Sequence, residues 1–559
     1  MTMLIWIFLL ACPAKYAPEP GAVQDSESGP IEEALPAEPI DTGDPGGVEL
    51  QACAALALTE GERFGLADLY ASIEPSTPTV LGSCGWGLAA LDLNEDGLTD
   101  LLLAGAYDAT TALVNEAGVL QPSMLIRFDD GPLPMGNGLA VGDFDGDLRP
   151  DFVLTRSTGF TDRIYFNRGG GQFESVALAD SEQESQTPSV LDVDGDGDLD
   201  VFVARHIDLD DTDPSAIDAR TARGDGNQLY INDGGSFTLG LSVGVGDAAT
   251  FQGAPLDADA DGDLDLYIVN DFGTFIAPSA LMINDGHGVF TEAEDCGCDL
   301  AMFGMGASVS DSNNDGLPDM HITDFGSPRL LMGMGPGEFY DGALAMGAYI
   351  EPSTAHVTSW GTSFVDLDQD GWDEIATVFG PVLMGVPGDW SDMVSDPVVA
   401  DLDDSTHQLD MILRNDEGLF LDASSDLNFD RSDVGRAIVV ADFNADGMPD
   451  LATAGMTQER EPYLRVRHGT AGCGPGITVA FPEWSGQDIG TRVEWHVGGE
   501  TRVRWFLPST TFSSSGPTLH LGLGGHASAT WVRITPHGGE TVEYIDVQAG
   551  DRIDQRSYQ

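Results

Sequence analysis

The sequence predicts an all-β fold, a seven-bladed β-propeller over residues 51–472 followed by a small antiparallel β domain over residues 473–559. Three observations carry this prediction. The 559-residue chain repeats a unit of short apolar strands around an acidic loop. Its 70 glycines and 31 prolines imply many turns, which suit short strands better than long helices. No long segment spaces its apolar residues as a helix does, although 42% hydrophobic residues are enough for a sizeable core.

The repeat is clearest in two segments, GWGLAALDLNEDGLTDLLLAG from Gly85 and WGTSFVDLDQDGWDEIATVFG from Trp360. A second recurrent turn follows several of the acidic loops, as in LYINDGGSF from Leu229 and LMINDGHGVF from Leu281. Asn-Asp-Gly turns between apolar runs are hairpin signals. A period of about 50 residues with four short strands per unit predicts propeller blades.

Seven acidic loops, here loops 1 to 7 in chain order, share the spacing D-x-[DN]-x-D-[GL]-x-x-[DE]. Side chains at positions 1, 3 and 5 of such a tight loop converge on one point. Gly at position 6 permits the sharp turn, and the carbonyl of position 7 adds an oxygen. The acid at position 9 can bind through both oxygens and attaches the next strand to the loop. The residues predicted to hold a metal are, loop by loop, Asp92, Asn94, Asp96 and Asp100; Asp143, Asp145, Asp147 and Asp151; Asp192, Asp194, Asp196 and Asp200; Asp257, Asp259, Asp261 and Asp265; Asp311, Asn313, Asp315 and Asp319; Asp366, Asp368, Asp370 and Glu374; and Asp442, Asn444, Asp446 and Asp450.

This ligand set predicts calcium (Ca2+), which takes about six to eight oxygen ligands. Histidine and cysteine are absent from the ligand positions, which argues against zinc and copper. Magnesium gives up its waters reluctantly and fits less well. Strands rather than helices flank the loops, so they are not EF-hands. Chance in an acidic chain does not explain seven regularly placed windows, and empty turns would hold mutually repelling carboxylates. ADLDDSTHQLD from Ala400 resembles the motif, and we interpret it as an insertion rather than an eighth site.

Charge and the N-terminal segment predict where the protein resides. Asp and Glu number 93 against 23 Lys and Arg, a net charge of -70, which argues against nucleic acid and anionic lipid as partners. Residues 1–12, MTMLIWIFLLAC, resemble a signal peptide ending in a bacterial lipobox, with Cys12 lipidated. The n-region lacks Lys and Arg, so an ordinary signal and a buried apolar start are alternatives. Residues 13–50 predict a disordered acidic tether. We expect a secreted, membrane-anchored lipoprotein at the bacterial cell envelope or surface, touching the membrane only through its lipid.

The repeats resemble FG-GAP/VCBS repeats, as found in integrin α-subunit propellers. Together with the C-terminal domain they resemble the cartilage acidic protein family, with its ASPIC/UnbV domain. The matching C-terminal segments are IGTRVEWHVGG from Ile489, TFSSSGPTLHLGLG from Thr511 and WVRITPHGGE from Trp531. The resemblance covers nearly everything after residue 60. It implies a calcium-loaded propeller used for extracellular binding or adhesion, and it does not identify the ligand.

Two functional classes follow. The first is a binding, adhesion or scaffolding protein with an unknown extracellular protein or glycan as partner and without catalytic residues. The alternative is a secreted propeller enzyme that acts on an extracellular polymer such as a polysaccharide, with its site in the central funnel. Lys15 is the only lysine, so Schiff-base chemistry in the folded body is excluded. An acid/base constellation at one mouth of the channel would favour the enzyme, and metal sites spread evenly around the rim would favour the binder.

Two further expectations concern a local disulfide bond and the missing strand of the last repeat. Only Gly297 separates Cys296 from Cys298, which permits a local disulfide, while the pairing of the six cysteines stays open. The last repeat is one outer strand short, and ERFGLADLYASI from Glu62 has no blade of its own. We expect that segment to supply the missing strand, because pairing there would remove two open sheet edges.

Overall fold

The computed structural model describes residues 57–65, 86–105, 110–123, 125–207, 223–350, 357–380, 408–457, 462–470 and 472–555. Within these ranges the fold is all-β, as predicted, with a single four-residue helix, α1 (Ala343–Met346). Cys12, the tether and most of the acidic stretch from Ala400 lie outside the described residues. No helix in the described part of the chain is long and apolar enough to cross a membrane.

Seven sheets in the described residues of the repeat region are each built on four antiparallel strands, and six of them take those strands consecutively from the chain. Sheets 1 and 2 are β2 (Leu88–Leu91), β3 (Asp100–Leu103), β4 (Thr111–Glu116) and β5 (Val119–Pro122); and β7 (Leu139–Gly142), β8 (Asp151–Leu154), β9 (Arg163–Asn167) and β10 (Gln172–Ala177), with β6 (Arg127–Phe128) added beside β10. Sheets 3 and 4 are β11 (Ser185–Leu191), β12 (Asp200–Arg205), β13 (Gln228–Asp233) and β14 (Ser236–Leu239); and β15 (Ala249–Leu256), β16 (Asp265–Asp271), β17 (Ala280–Asn284) and β18 (Phe290–Glu292). Sheets 5 and 6 are β19 (Gly304–Ser310), β20 (Asp319–Asp324), β21 (Arg329–Gly335) and β22 (Glu338–Asp341); and β23 (Ser359–Val365), β24 (Glu374–Phe379), β25 (Met411–Asp416) and β26 (Leu419–Asp422).

Sheet 7 draws its fourth strand from the N-terminal side of the repeats. It consists of β27 (Val434–Ala441), β28 (Asp450–Met456), β29 (Pro462–Thr470) and β1 (Ala57–Gly65). Strand β1 runs antiparallel to β29, from the pair Ala57–Thr470 to the pair Gly65–Tyr463. The expected pairing is therefore observed, although the paired segment starts before Glu62, and residues 66–73 of the predicted segment lie outside the described residues.

The first strand of each of the seven sheets is buried, and the last strand of sheets 1 to 6 is largely exposed. Strands β11 and β15 are buried along their whole length, whereas β14 and β18 are mostly exposed. The first strands contact one another in the order β2, β7, β11, β15, β19, β23, β27, and β27 in turn contacts β2. Close packing between sheets 3 and 4 requires glycine, since a Cβ on Gly253 would lie 2.6 Å from the Phe202 ring. Contacts between neighbouring sheets therefore run through all seven and return to the first.

The C-terminal residues form two further sheets. One has the order β35 (Thr518–Leu521), β30 (Ile477–Ala480), β38 (Arg552–Asp554), with β30 and β38 parallel. The other has the order β32 (Glu500–Trp505), β31 (Arg492–Val497), β36 (Ser528–Thr535), β37 (Val542–Gln548), all antiparallel. The sequence predicted an antiparallel domain and missed the parallel pair, because β30 and β38 stand at opposite ends of the domain and share no local pattern.

A short hairpin of the C-terminal domain lies among the first strands of the seven sheets. This central hairpin, Ser509–Ser514, contains β33 (Ser509–Thr510) and β34 (Ser513–Ser514). Strand β33 contacts β11, β15, β19 and β23, and β34 contacts β2, β7 and β27. At its tip Phe512 is fully buried. Its backbone N–H donates to Thr187 Oγ1 (2.9 Å), and its carbonyl accepts from the Leu139 N–H (2.9 Å). The space between the first strands is thus filled by the chain itself.

Candidate metal centres in the acidic loops

Each acidic loop joins the first and second strands of one sheet, and its own side chains hold its backbone. In loop 1, Asp92 accepts hydrogen bonds from the backbone N–H groups of Asp96 (3.2 Å) and Gly97 (2.8 Å). Position 6 has a positive φ, 84° at Gly97, as the predicted sharp turn requires. Loop 2 places Leu148 at this position with φ 64°, in the left-handed region that a branched side chain disfavours. The hydrogen bonds of the motif and its position-6 conformation therefore set the shape of the loop backbone.

The acid at position 9 links three segments. Asp100 accepts the N–H of Leu93 on Oδ2 (2.8 Å) and the N–H of Asn115, on the third strand, on Oδ1 (2.7 Å). Asp200 repeats both bonds with Val193 (2.9 Å) and Asn232 (2.8 Å). The sequence predicted that this acid attaches the second strand to the loop. The structure shows that it also holds the third strand.

Asparagines on the third strands carry a role that the sequence did not reveal. Asn232 Nδ2 donates to the carbonyl of Leu199 in its own loop (3.1 Å) and to that of Phe144 in loop 2 (2.8 Å). Asn284 makes the same pair of bonds to Leu264 (3.3 Å) and to Val193 in loop 3 (2.9 Å). The same arrangement links loop 1 to loop 7 through Asn115 and loop 6 to loop 5 through Asn415. The sequence signal for this role is the recurrent Asn of the second turn, which by itself indicates only a hairpin.

Four loops gather three carboxylates so that one oxygen of each lies within 4.8 Å of the others. These trios are Asp143, Asp145 and Asp151; Asp192, Asp194 and Asp196; Asp257, Asp259 and Asp265; and Asp366, Asp368 and Glu374. In each trio one buried carboxylate oxygen has no hydrogen-bond partner. The four atoms are the Oδ1 atoms of Asp145, Asp194, Asp257 and Asp366. A buried anionic oxygen without a partner is costly, and a bound cation would supply the missing partner.

The three loops with asparagine at position 3 are arranged differently. Asn94 donates through Nδ2 to Asp96 Oδ2 (3.0 Å), and Asn313 and Asn444 do the same to Asp315 (2.9 Å) and Asp446 (3.0 Å). Among the described residues these loops show no carboxylate trio within the same distance. The seven loops contain all 28 predicted ligand positions. The structure brings three acids together in four of these loops.

Burial and mutual repulsion destabilise the ionised acids. The pKa values of Asp200 and Asp265 are raised to about 7, chiefly by burial and also by the charges of neighbouring loop acids, while backbone hydrogen bonds lower them. Burial likewise raises the pKa of Asp143 and of Asp257 to about 6. A cation that binds the ionised form would offset this cost.

A histidine–carboxylate pair lies at the ends of the second strands away from the loops. His206 Nε2 is 3.2 Å from Asp271 Oδ2, and both side chains are 8% exposed. The His206 ring packs on Phe251 at 4.5 Å between ring centroids. Glu184, which is fully buried, accepts the backbone N–H of His206 on its carbonyl (3.0 Å). This pair is a candidate acid/base group for the enzyme alternative, and both of its side chains are largely buried.

The cysteines in the described part of the chain do not add a metal site. Cys296 and Cys298 are joined in a disulfide, as their spacing permitted, so they offer no thiolate beside Asp299. Cys473 is also disulfide-bonded.

Family models match both parts of the chain. The FG-GAP-like repeat model matches residues 92–154, 149–203 and 311–377, and the ASPIC and UnbV model matches residues 485–555. The first group includes loops 1, 2, 3, 5 and 6. No curated protein matches the chain.

Solved structures resemble the fold at low identity. The N-terminal part of BBS1 in complex with ARL6 is 10% identical and has a TM-score of 0.40, covering 74% of this chain and 97% of that one. A lectin from Agrocybe aegerita that recognises non-reducing terminal N-acetylglucosamine is 18% identical with a TM-score of 0.36, covering 60% and 79%. The V. cholerae biofilm matrix protein Bap1 is 11% identical with a TM-score of 0.32, covering 89% and 85%. All three scores lie below 0.5, so these similarities support no functional conclusion.

Proposed function

We propose that this chain, which carries FG-GAP-like repeats and an ASPIC/UnbV domain, is a secreted calcium-binding β-propeller that serves as an extracellular binding, adhesion or scaffolding protein. Its ring has seven blades, one for each four-stranded sheet. The proposal is supported by the unbroken series of contacts from β2 through β27 and back to β2. It is also supported by β1, which gives sheet 7 its fourth strand.

The observation that carries the calcium proposal is the pairing of carboxylate trios with unpartnered oxygens. Four loops each combine three acids within 4.8 Å with one buried oxygen that lacks a hydrogen bond. Carboxylate, amide and carbonyl oxygens suit a hard cation that accepts irregular geometry. When bound, calcium would neutralise the loop acids and strengthen the connection between first and second strands. We assign loops 1, 5 and 7 to the same role with weaker affinity, because their asparagine amides already pair with the position-5 acids.

The filled centre of the ring supports a binding role rather than catalysis. The central hairpin occupies the place where a funnel site would lie, and the His206–Asp271 pair is buried beneath Phe251. The exposed outer strands and the loop rim remain as surfaces for an extracellular protein or glycan. Cys12 would hold the protein at the cell envelope through a lipid, with residues 13–50 as the tether.

Direct ion counting tests the calcium proposal. At equilibrium dialysis against calcium, the protein should hold at least four ions per chain, those of loops 2, 3, 4 and 6, measured by mass spectrometry of the metal. Magnesium should be retained in smaller number, because it gives up its waters reluctantly. Retention of no calcium would contradict the proposal.

Partner capture tests the binding role. Proteins and glycans released from the surface of the source cells should be captured by the immobilised chain in calcium and lost on chelation. Incubation with a panel of extracellular polysaccharides checks the alternative, since release of new reducing ends would identify an enzyme. Cys12→Ser should move the protein from the membrane fraction to the soluble fraction, and an unchanged distribution would contradict the lipid anchor.

A further inference from the structure

Loop 6 is covered by the C-terminal domain. The backbone N–H of Gly524 donates to the carbonyl of Gln369 (3.0 Å), and that of Cys473 donates to the carbonyl of Asp368 (2.9 Å). Arg502 Nη1 donates to the carbonyl of Asp370 (2.7 Å). Three separate segments of the C-terminal domain therefore hold the backbone of one acidic loop.

Arg504 reaches the predicted ligands themselves. This side chain is 9% exposed, and its Nη2 lies 3.4 Å from Asp366 Oδ2. Its Nε donates to Asp373 Oδ2 (3.0 Å), and Nη2 also contacts Asp373 Oδ1. Asp366 therefore faces a guanidinium on Oδ2, while its Oδ1 is the buried oxygen without a partner. The arginine therefore contacts a member of the carboxylate trio directly.

The charges at this junction do not cancel. Asp366, Asp368, Asp370, Asp373 and Glu374 carry five negative charges on a largely buried loop. Arg414, 3.7 Å from Asp368, together with Arg502 and Arg504, supplies three positive charges. When all five acids are ionised, two formal negative charges remain on the loop, and one divalent cation would offset them; Arg502 also lies 3.9 Å from the exposed Glu500.

We propose that loop 6 is a composite cation site, completed by Arg502 and Arg504, in which ion binding and docking of the C-terminal domain stabilise each other. The proposal rests on the calcium sites proposed above. Without the ion, the docked domain covers a loop with two uncompensated charges, a costly arrangement. With the ion, the junction is neutral and the covering domain slows its release. Such a linkage is reciprocal, so each event favours the other by the same factor.

Two matched substitutions at position 3 test the linkage. Asp368→Asn alters loop 6, and Asp259→Asn alters loop 4. Among the described residues, the hydrogen bond that Asp259 accepts comes from its own loop, from the Asp261 N–H (3.2 Å). The readouts are calcium ions retained per chain and the hydrogen-exchange rates of the Cys473 and Gly524 amides. At a calcium concentration that fills only loops 2, 3, 4 and 6, we expect each variant to hold one ion fewer, because asparagine at position 3 is the arrangement of the weaker loops 1, 5 and 7. Only Asp368→Asn should speed exchange at Cys473 and Gly524, by about tenfold or more.

The outcomes separate the two proposals. Loss of one ion from both variants with unchanged or equal exchange at Cys473 and Gly524 would overturn the linkage while leaving the calcium sites standing. Retention of all ions by both would overturn the calcium proposal and the linkage with it. If Asp368→Asn fails to fold, stepwise chelation of the unmodified protein replaces it. Exchange at the two amides should then rise together with loss of one particular ion, and exchange that stays slow after all ions are removed would overturn the linkage.

Discussion

Loops 4 and 6 carry nearly the same motif, DADADGDLD and DLDQDGWDE, and lie in different surroundings. In loop 4 the position-5 acid Asp261 is exposed, and among the ion pairs between described residues none involves a loop 4 acid. In loop 6 Asp366 and Glu374 are buried, and Arg504 stands beside them. One local motif can therefore lie either at a solvent-facing turn or at the junction between two domains, depending on what packs over it.

Removal of calcium should have the largest effect, because it acts on both kinds of loop at once. If each site binds with a Kd of about 0.1–1 mM, calcium at about 1 mM adds roughly 0.4–1.4 kcal/mol per site. The sum over the loops reaches several kcal/mol, a large share of the stability of a domain. Melting followed with chelator, with calcium and with magnesium should show a marked loss of Tm on chelation that magnesium restores poorly. An unchanged Tm would contradict structural ions.

Removal of Arg504 should affect only the loop 6 side of the comparison. Arg504→Met leaves Asp373 and Asp366 buried without their guanidinium, at a cost of about 3–5 kcal/mol. Arg552→Gln is the control, because Arg552 and its partner Asp554 are 56% and 41% exposed and such pairs contribute little. Chemical denaturation in calcium measures both variants. Equal stabilities for the two would show that the buried junction has no energetic role.

The pH dependence should reverse between the calcium-free and calcium-bound states. In loop 4 burial raises the pKa of Asp265 from 3.8 to about 7, so between these values the folded metal-free protein binds more protons than the unfolded chain. Its stability therefore increases as pH falls from about 7 toward 4. With calcium the same protonation expels the ion, so Tm should decrease over this range. Scanning calorimetry in chelator and in calcium, from pH 8 to about 4.5, gives both slopes, and parallel slopes would contradict the assignment.

The smallest effect is expected at loop 2, where Leu148 stands in place of the usual glycine. Its φ of 64° is unfavourable for a leucine, so Leu148→Gly should stabilise the protein by about 1 kcal/mol. Gly97→Leu, at the same position of loop 1 with φ 84°, should destabilise it by a similar amount. Urea denaturation of the two variants measures the difference, and a loss of stability in Leu148→Gly would show that Leu148 contributes packing that outweighs its strain.

The fold and the loop residues could be predicted because their signals are local. Alternating apolar strands, Asn-Asp-Gly turns and the spacing within each acidic loop all lie within one repeat, and the all-β prediction is confirmed. The pairing of β1 with β29 could also be anticipated, because one repeat was short of a strand. The seven ligand sets stay a prediction, supported in four loops by the carboxylate trios.

The sequence by itself determined which residues form each acidic loop, because nine consecutive residues contain the whole turn. Only the tertiary structure decided what each loop does. Arg504 is 131 residues from Asp373, and Asn115 reaches the Phe443 carbonyl across 328 residues. The central hairpin is a short polar segment whose burial depends on seven separate strands. Contacts of this kind depend on where the sheets bring distant segments, and no local periodicity or spacing encodes that meeting.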